Sequence, residues 1–557
     1  MDATQRNGLN STLWIISIAA ILAGLAYAYT QFWTCDDAFI SFRYSDNLID
    51  GKGLRYNAVE KVEGYSNFLW TILIAIARYA TGLDAAVLGN WLGLAFSAGT
   101  MLLLIRASRI LGGNSALPIA AVGLACHYHF AVFTSCGLET SMAAFLTTAL
   151  VCNLIEAKGT KCYVIAGLVG TMIAMTRADG PLIYGLAGLF TLFTSIRVKN
   201  FRLFLGILLP GLLLWVPYFI CRWIYYGDPM ANVFYAKSVS HAYPSQGWIY
   251  VRMFFECYWI LIPAMLGTLY LAFRRSPLQR AAVAIASIVA PFTCFVIYIG
   301  GDFMFARYLI PITPALYLGL ELFCRSLPGK NAQVGSWLVV SIGTLLMLYP
   351  TGKIDQHLSP IGIGEERLFY PPKRTETFRV FGKELQRLTD GTNASMAIAG
   401  GQASIAYYSN FPLVIECASG LTDRWIAQQP ITKRGKVGHE RNTPTAYLFR
   451  RSVNLALFPP HVIGFKHPLD ATLRSMKAGK EEVTIVTWSD EVMAAIRERS
   501  SGTIKFVDIH KYLDEYLTTA KSKSKNQLQA DLQYFRNFYF NHNDDTDRLQ
   551  RFEALAK

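Results

Sequence analysis

For the first 350 residues, long apolar runs alternate with short polar loops; beyond that point the pattern stops. The runs at 13–32, 86–105, 116–133, 140–155, 162–175, 181–196, 204–224, 254–273, 281–299, 308–323 and 334–349 approach the length that crosses bilayer hydrocarbon. They predict about eleven membrane-spanning helices, so that residues 1–350 form a mainly α, polytopic membrane domain. A further run, 68–80, is short, carries Arg78 and ends against Gly82 and Asp84. It predicts a helix lying in the interface, not a span. From 351 onward charge is dense and no run is long enough to span. Short β-type runs at 396–399, 413–416, 483–488 and 504–509 alternate with helix-like stretches at 375–388 and 491–499. That alternation predicts a soluble α/β layer domain over 351–520. Residues 521–557, with KSKSKN and FNHNDDTD, read as a charged, loosely attached C-terminal helix or tail.

Composition agrees with the membrane reading, since 53% of the 557 residues are hydrophobic and only 16% are charged. A net charge of +14 suggests nucleic acid until its placement is considered. The basic residues gather in alternate loops: Arg106 and Arg109, Lys158 and Lys161, Arg197 to Arg202, Arg274 to Arg280, Arg325 and Lys330. The opposite turns near Gly137 and Gly180 carry almost none. This is the positive-inside pattern; it places the N-terminus in the cytoplasm and implies no nucleic-acid partner. Counting 68–80 as a span destroys the asymmetry. The first loop, the 226–252 loop, the 300–307 turn and everything after 349 therefore face outward. The ten cysteines show neither CxxC nor a metal spacing, and most lie in apolar runs, so no disulfide framework is expected. The first run is too long, and lacks the small-residue site, for a cleaved signal peptide.

Candidate chemistry lies where helices reach the outer boundary. Directly after the first run comes DDAFISFRY, an acid pair at a membrane exit, where carboxylates are costly unless they face water or a cation. Asp36, Asp37, Arg43, Glu63, Glu139, Arg177, Asp179, Lys237, Asp302 and Arg307 all fall on this one side. A shared outer cavity accounts for that clustering. A base for a sugar hydroxyl has to be a partly desolvated carboxylate, which suits Asp37 or Asp36, and less well Glu63 or Asp302. A departing phosphate needs cations, for which Lys237, Arg307 and Arg177 are available. Arg43, Glu63, Asn67, Tyr235, Asn232 and Asp302 supply groups for a sugar or phosphate. The glycine turn Gly400-Gly401 lacks a full dinucleotide fingerprint, and His127 and His129 read as structural histidines. There is no P-loop, GxSxG or HExxH, and neither a metal nor another cofactor is indicated.

Five stretches carry a resemblance: DDAFISFRYSDNLIDGKGLRYN (36–57), VEGYSNFLWT (62–71), ANVFYAKS (231–238), GGDFMFARYLIP (300–311) and SGLTDRWIA (419–427). Together they resemble the GT-C class of membrane glycosyltransferases, in particular the branch of mycobacterial terminal arabinofuranosyltransferases and their bacterial relatives. The resemblance implies a GT-C fold in the bacterial cytoplasmic membrane with its C-terminal domain outside. It also implies a polyprenyl-phosphate-linked sugar donor, an extracytoplasmic glycan acceptor and an inverting single displacement. The base is then expected in Asp36/Asp37, and Lys237 is expected to meet the donor phosphate. The chain departs from the pattern at 399–402, where Ala399-Gly400-Gly401-Gln402 stands in place of an acidic residue before the turn. Two rival readings make different demands. A lipid-linked-sugar transporter requires internal repeats and broken helices, neither of which is legible here. An O-antigen-ligase-like transferase places its main loop late in the chain.

Overall fold

The computed structural model describes residues 3–113, 117–237, 242–329, 362–398, 400–431, 438–441, 443–457, 484–500 and 505–557, with single positions between 335 and 345 and at 436, 462 and 463. Most of the expected span 334–349 and the Ala399 position lie outside the described residues. The chain divides into two compact units. The first comprises Met1–Ile49, Tyr65–Met230 and Val239–Pro372, and the second Asp50–Gly64, Ala231–Ser238 and Lys373–Lys557.

The first unit is helical. Its elements are α1 (Ala3–Thr30), α2 (Ala38–Ile49), α3 (Phe68–Thr81), α4 (Ala85–Gly112), α5 (Ile119–Ala125), α6 (Tyr128–Thr134), α7 (Thr140–Glu156), α8 (Thr160–Thr176) and α9 (Gly180–Arg197). After these come α10 (Arg202–Tyr226, with a π-helical turn at Gly211–Trp215), α11 (Pro244–Cys257), α12 (Leu261–Phe273), α13 (Gln279–Ile299) and α14 (Thr313–Ser326). Among the described residues, four helices are long and apolar enough to cross a membrane, or five if α11 and α12 form one bent span. The expected figure of about eleven is thus not reached on length and apolarity alone. α7 and α8 have 17 residues each, about 25 Å at 1.5 Å per residue.

α3 has 14 residues, about 21 Å, short of the ~30 Å hydrocarbon core. It buries Trp70, Thr71, Ile74 and Ala75 while Ile76 and Tyr79 stay exposed. Gly82, with φ of 69°, stops it by donating to the Arg78 carbonyl, and Asp84 opens α4 by accepting from the Ala86 N–H at 2.9 Å.

Two helices are broken, which the sequence did not reveal. The run 116–133 divides into α5 and α6 at Cys126-His127, and the run 254–273 bends by 103° between α11 and α12. The two breaks meet. The His127 ring stacks on Tyr258 at 3.7 Å, and the Tyr258 hydroxyl bonds the His129 ring nitrogen at 2.5 Å and accepts from the His129 N–H at 3.1 Å. His127 also bonds the Tyr317 hydroxyl at 3.1 Å. These polar side chains bind the backbone groups and each other where the helical ladder is interrupted. All four rings are buried, so protein side chains fill the breaks. All ten cysteines are free thiols.

The second unit contains a three-stranded parallel sheet in the order β2-β1-β3, with β1 (Ser395–Ile398), β2 (Leu413–Glu416) and β3 (Leu455–Leu457). Ser395 pairs with Leu413 and Met396 with Leu455. The helix Ala403–Ser409 connects β1 to β2, the crossover a parallel pair requires. The unit draws in two segments from the first half of the chain. Asn57 mimics a strand residue against β2: its Nδ2 donates to the Val414 carbonyl at 3.0 Å, and its Oδ1 accepts from the Val414 N–H at 2.9 Å. This joins Asp50–Gly64 to the sheet, a union the boundary expected at 351 did not include.

The tail also differs from expectation. Ile509–Thr519, Lys525–Phe535 and Thr546–Ala556 are helices that, with the π-helical turn Arg536–Phe540, bring Leu513, Leu528, Phe535, Phe538, Tyr539 and Phe552 into one buried cluster. Its charges lie around an apolar face, and that face fixes the tail in place.

Candidate active site

In the first unit the acid pair forms a turn between α1 and α2. The turn is held from below. The Trp33 indole N–H donates to the Val132 carbonyl at 2.8 Å and the Cys35 N–H to the Cys136 carbonyl at 2.8 Å. Gly137, with φ of 80°, lies where α2, α3 and this turn converge; a Cβ there would come within 3.1 Å of Ala38 and Phe42. Its carbonyl accepts from the Trp70 indole at 3.0 Å. The Asp36 and Asp37 carbonyls accept from the Phe39 and Ile40 N–H groups at 3.1 and 3.2 Å, so α2 starts directly from the pair.

The two carboxylates differ in setting. Asp36 is buried, at 4% exposure. Asp37 is half-buried, and no described residue forms a hydrogen bond or ion pair with its side chain. The charge of Asp37 acts on Arg307, and on the thiol of Cys35, which burial first and then Asp37 hold well above the usual thiol range. Arg43 is buried on α2.

A chain of buried polar groups leaves α2 from Ser41. The Ser41 hydroxyl donates to Asn67 Oδ1 at 3.0 Å, and Asn67 Nδ2 donates to Glu139 Oε2 at 2.9 Å. The other oxygen of Glu139 accepts from Arg177 Nη1 at 3.1 Å. Arg177 also grips Asp179 bidentately, Nε to Oδ1 at 2.8 Å and Nη2 to Oδ2 at 2.7 Å. All five are buried. The arrangement follows from the helix ends: Asn67 precedes α3, Glu139 precedes α7, Arg177 ends α8 and Asp179 precedes α9.

The Gly300–Arg307 turn supplies the second charge pair. Arg307 Nε donates to Asp302 Oδ2 at 2.5 Å, and Asp302 Oδ1 accepts from the Phe303 N–H at 2.9 Å. No described residue bonds the two Nη groups of Arg307. Gly300 and Gly301 have φ of 95° and 68°, and a Cβ on Gly301 would lie 2.5 Å from the Tyr250 ring. The Tyr250 hydroxyl donates to the Met304 carbonyl at 3.0 Å and accepts from the Tyr308 N–H at 3.2 Å, fastening the turn. The Tyr308 ring lies 5.2 Å from the Arg177 guanidinium and 5.8 Å from that of Arg307, which joins the two cationic centres. Arg307 also feels the charges of Glu139 and Asp37. The structure therefore gathers Asp37, Glu139, Arg177, Asp179, Asp302, Arg307 and Tyr308 into one electrostatic group. Among the described residues, no set of three or more His, Cys, Asp or Glu is arranged to hold a metal ion.

Glu63, Tyr235 and Lys237 belong to the second unit. Asn232 Nδ2 donates to the Gly420 and Leu421 carbonyls at 2.7 and 2.8 Å, while its N–H donates to the Glu63 carbonyl at 3.0 Å. Arg441 caps the short helix Asn232–Ala236, donating to the Tyr235 and Ala236 carbonyls at 2.9 and 2.8 Å. The receiving loop is formed by Glu416 at the end of β2, which accepts from the Ala418, Ser419 and Gly420 N–H groups at 2.7, 3.0 and 2.9 Å. Lys237 follows directly on this capped turn. Just after the Glu416–Gly420 loop in sequence, Asp423 accepts from the Tyr447 hydroxyl at 2.7 Å and pairs with Arg451, which also holds Glu60 at 2.8 Å. Trp425, 38% exposed, stacks on Tyr447 at 4.2 Å and 12°. Sequence reading passed over Trp425, Tyr308 and Tyr250. Trp425 and Tyr308 stand inside the motifs SGLTDRWIA and GGDFMFARYLIP, where an aromatic among charges was the available signal.

Comparison with solved structures identifies the fold of this bundle. The chain resembles the structure of ArnT from Cupriavidus metallidurans bound to undecaprenyl phosphate, a GT-C fold, with a TM-score of 0.53 and 13% identity over 74% of this chain and 87% of that one. In sequence it is similar to the terminal beta-(1->2)-arabinofuranosyltransferase of Corynebacterium glutamicum, 27% identical over 347 residues, 55% of this chain. It is also similar to the protein of the same name from Mycobacterium tuberculosis, 28% identical over 382 residues, 60% of this chain. The matches span 50% and 60% of the lengths of these two relatives. No protein-family model matches the chain.

Proposed function

We propose that this protein is a GT-C glycosyltransferase of the bacterial cytoplasmic membrane. It moves arabinofuranose, or a similar sugar, from a polyprenyl-phosphate donor to an extracytoplasmic cell-envelope glycan. The observation that carries this reading is Asp37: a half-buried carboxylate without a hydrogen-bond partner among the described residues, whose charge acts on an arginine with Nη groups that no described residue bonds. Similarity to two arabinofuranosyltransferases and to the fold of ArnT supports it.

In this mechanism Asp37 accepts the proton of the acceptor hydroxyl as its oxygen attacks the anomeric carbon. The bond to the donor phosphate breaks on the opposite face and the configuration inverts. The Nη groups of Arg307 receive the negative charge that develops on the departing phosphate oxygens. Arg177, engaged by two carboxylates, holds the framework. Asp36 positions its neighbour. Lys237 is a second candidate for the donor phosphate, and Trp425 offers an apolar surface to an acceptor sugar ring.

The test is transfer by the purified protein from a short-chain polyprenyl-phosphate arabinofuranose to an arabinan fragment, with Asp37→Asn, Lys237→Gln and Trp425→Ala in parallel. Loss of transfer in Asp37→Asn with donor binding intact supports the reading. Lys237→Gln is expected to weaken donor binding and Trp425→Ala to raise KM for the acceptor alone. Unchanged transfer in Asp37→Asn removes the acid pair from the mechanism.

A further inference from the structure

α13 joins the two ends of the helical unit. Its C-terminus leads into the Gly300–Arg307 turn, and its N-terminus lies 21 residues away, about 30 Å along the axis. At that far end, between the ends of α4, α12, α13 and α14, there is a cavity of about 590 Å³. Arg274, Arg275, Arg325 and Ser276 line it, together with Leu271 and Leu278.

The three arginines are not equivalent. Arg325 donates to the fully buried Glu321 at 3.0 and 2.7 Å, so its charge is balanced internally. Arg274 donates to the Tyr270 hydroxyl at 3.2 Å, and neither it nor Arg275 pairs with a carboxylate among the described residues. The Ser276 hydroxyl is buried and has no hydrogen-bond partner among the described residues. Two uncompensated guanidinium groups and an unsatisfied hydroxyl around one cavity are the groups that bind a phosphate.

The surroundings identify which phosphate. Leu266, Tyr270 and Phe273 follow one another at i, i+4 and i+7 on α12 and are 59%, 57% and 87% exposed. This apolar stripe leads straight to Arg274. A free phosphate ion makes no use of it, whereas an acyl chain does. We propose that the cavity binds the phosphodiester headgroup of an anionic phospholipid, with acyl chains along Leu266, Tyr270 and Phe273. Given the membrane orientation read from the loop charges, that lipid belongs to the cytoplasmic leaflet, where basic pockets between helices meet anionic headgroups.

The experiment uses the full-length protein in a neutral detergent. Lipid retention is read by native mass spectrometry, and the thermal midpoint with added phosphatidylglycerol, phosphatidylcholine or inorganic phosphate. Phosphatidylglycerol is expected to bind and raise the midpoint. The Arg274→Gln/Arg275→Gln double variant is expected to bind it roughly thirtyfold more weakly, the scale for losing two arginines near an anionic surface. Arg274→Lys/Arg275→Lys keeps the charges and is expected to fall between. Both arginines are exposed, so the variants leave the core packing intact. Equal binding of phosphatidylcholine, or an unchanged response in the Gln variant, overturns the proposal. A full response to inorganic phosphate overturns the lipid assignment and leaves an anion site. These readouts do not require sugar transfer, so failure of the transferase reading is seen separately.

Discussion

Arg307 holds Asp302 through Nε at 2.5 Å, and no described residue bonds its two Nη groups. Arg177 differs: Nε, Nη1 and Nη2 are all bonded to Asp179 and Glu139. Two buried arginines of similar sequence setting therefore take different roles. One keeps Nη groups that no described residue bonds, and the other fastens helix ends together.

That difference is measurable. Arg307→Lys retains a charge for Asp302 but loses the second donor, and it is expected to lower kcat at near-native stability. The transition-state loss is about 2–4 kcal/mol, the scale for removing one charged stabiliser. Arg177→Gln strips a partner from two buried carboxylates and is expected to cost about 3–5 kcal/mol of stability. Paired Tm and single-turnover measurements separate the two. Equal Tm losses in both variants contradict the division of roles.

Asp36 and Asp37 separate on the same logic. Of the two, only Asp37 is half-buried and without a bonded partner among the described residues, so Asp37→Asn is expected to lower transfer by about 10²–10⁴-fold, the range for general-base catalysis. Asp36→Asn should leave measurable turnover and move Tm more than it moves donor affinity. If Asp36→Asn is the dead variant, the assignment of the base is reversed.

The tail makes a prediction about pH. Burial alone raises the Asp531 carboxyl, but the Tyr516 hydroxyl, Lys523 and Gln527 outweigh it and hold the value below the usual range. Hydrogen bonds from Arg548 do the same for Asp514, and for Asp545 against its burial. A depressed folded value adds stability above the unfolded value, and that stability is lost as pH falls through the folded value. Amide protection over 509–557, taken relative to the intrinsic exchange rate at each pH, should therefore be flat down to about pH 4 and decline below it. Asp531→Asn should remove part of that step.

The long apolar runs and the acid pair were legible because each is written in contiguous residues. Partnership was not. Glu139, Arg177 and Asn67 lie at the ends of different helices, and nothing in their spacing shows that one side-chain chain links them. The breaks at His127 and Tyr258 escaped notice because the few polar residues in these runs, among them His127, His129 and Glu256, do not by themselves mark an interruption, and only contact across 129 residues explains it. Asn57 joining β2 across 357 residues is hidden for the same reason. The tail was misjudged because its charges are frequent and its apolar face emerges only when three helices are folded together.

Asn67 gives the sharpest test of the buried chain. Its Oδ1 accepts from the Ser41 and Thr71 hydroxyls at 3.0 and 3.2 Å, and its Nδ2 donates to Glu139 at 2.9 Å. It thereby ties α2, which begins at the acid pair, to the carboxylate that Arg177 holds. Removing the amide in Asn67→Ala leaves a buried carboxylate oxygen unsatisfied, at a cost of about 1–3 kcal/mol. Because α2 loses an anchor, kcat should fall more than donor affinity. Asn67→Asp is more informative. A new carboxylate there faces Glu139, and like charges at that distance favour protonation of one of them. The protonated acid can still donate to Glu139, so the variant should resemble the native protein at low pH. Its folded value is raised above the unfolded one, so the contribution is present below the unfolded value and disappears as pH rises through the folded value. Thermal stability of Asn67→Asp should decline from acid toward neutral pH relative to the native chain, and Asn67→Ala should show no such slope. A constant offset between Asn67→Asp and the native protein across that range would falsify the Asn67–Glu139 contact.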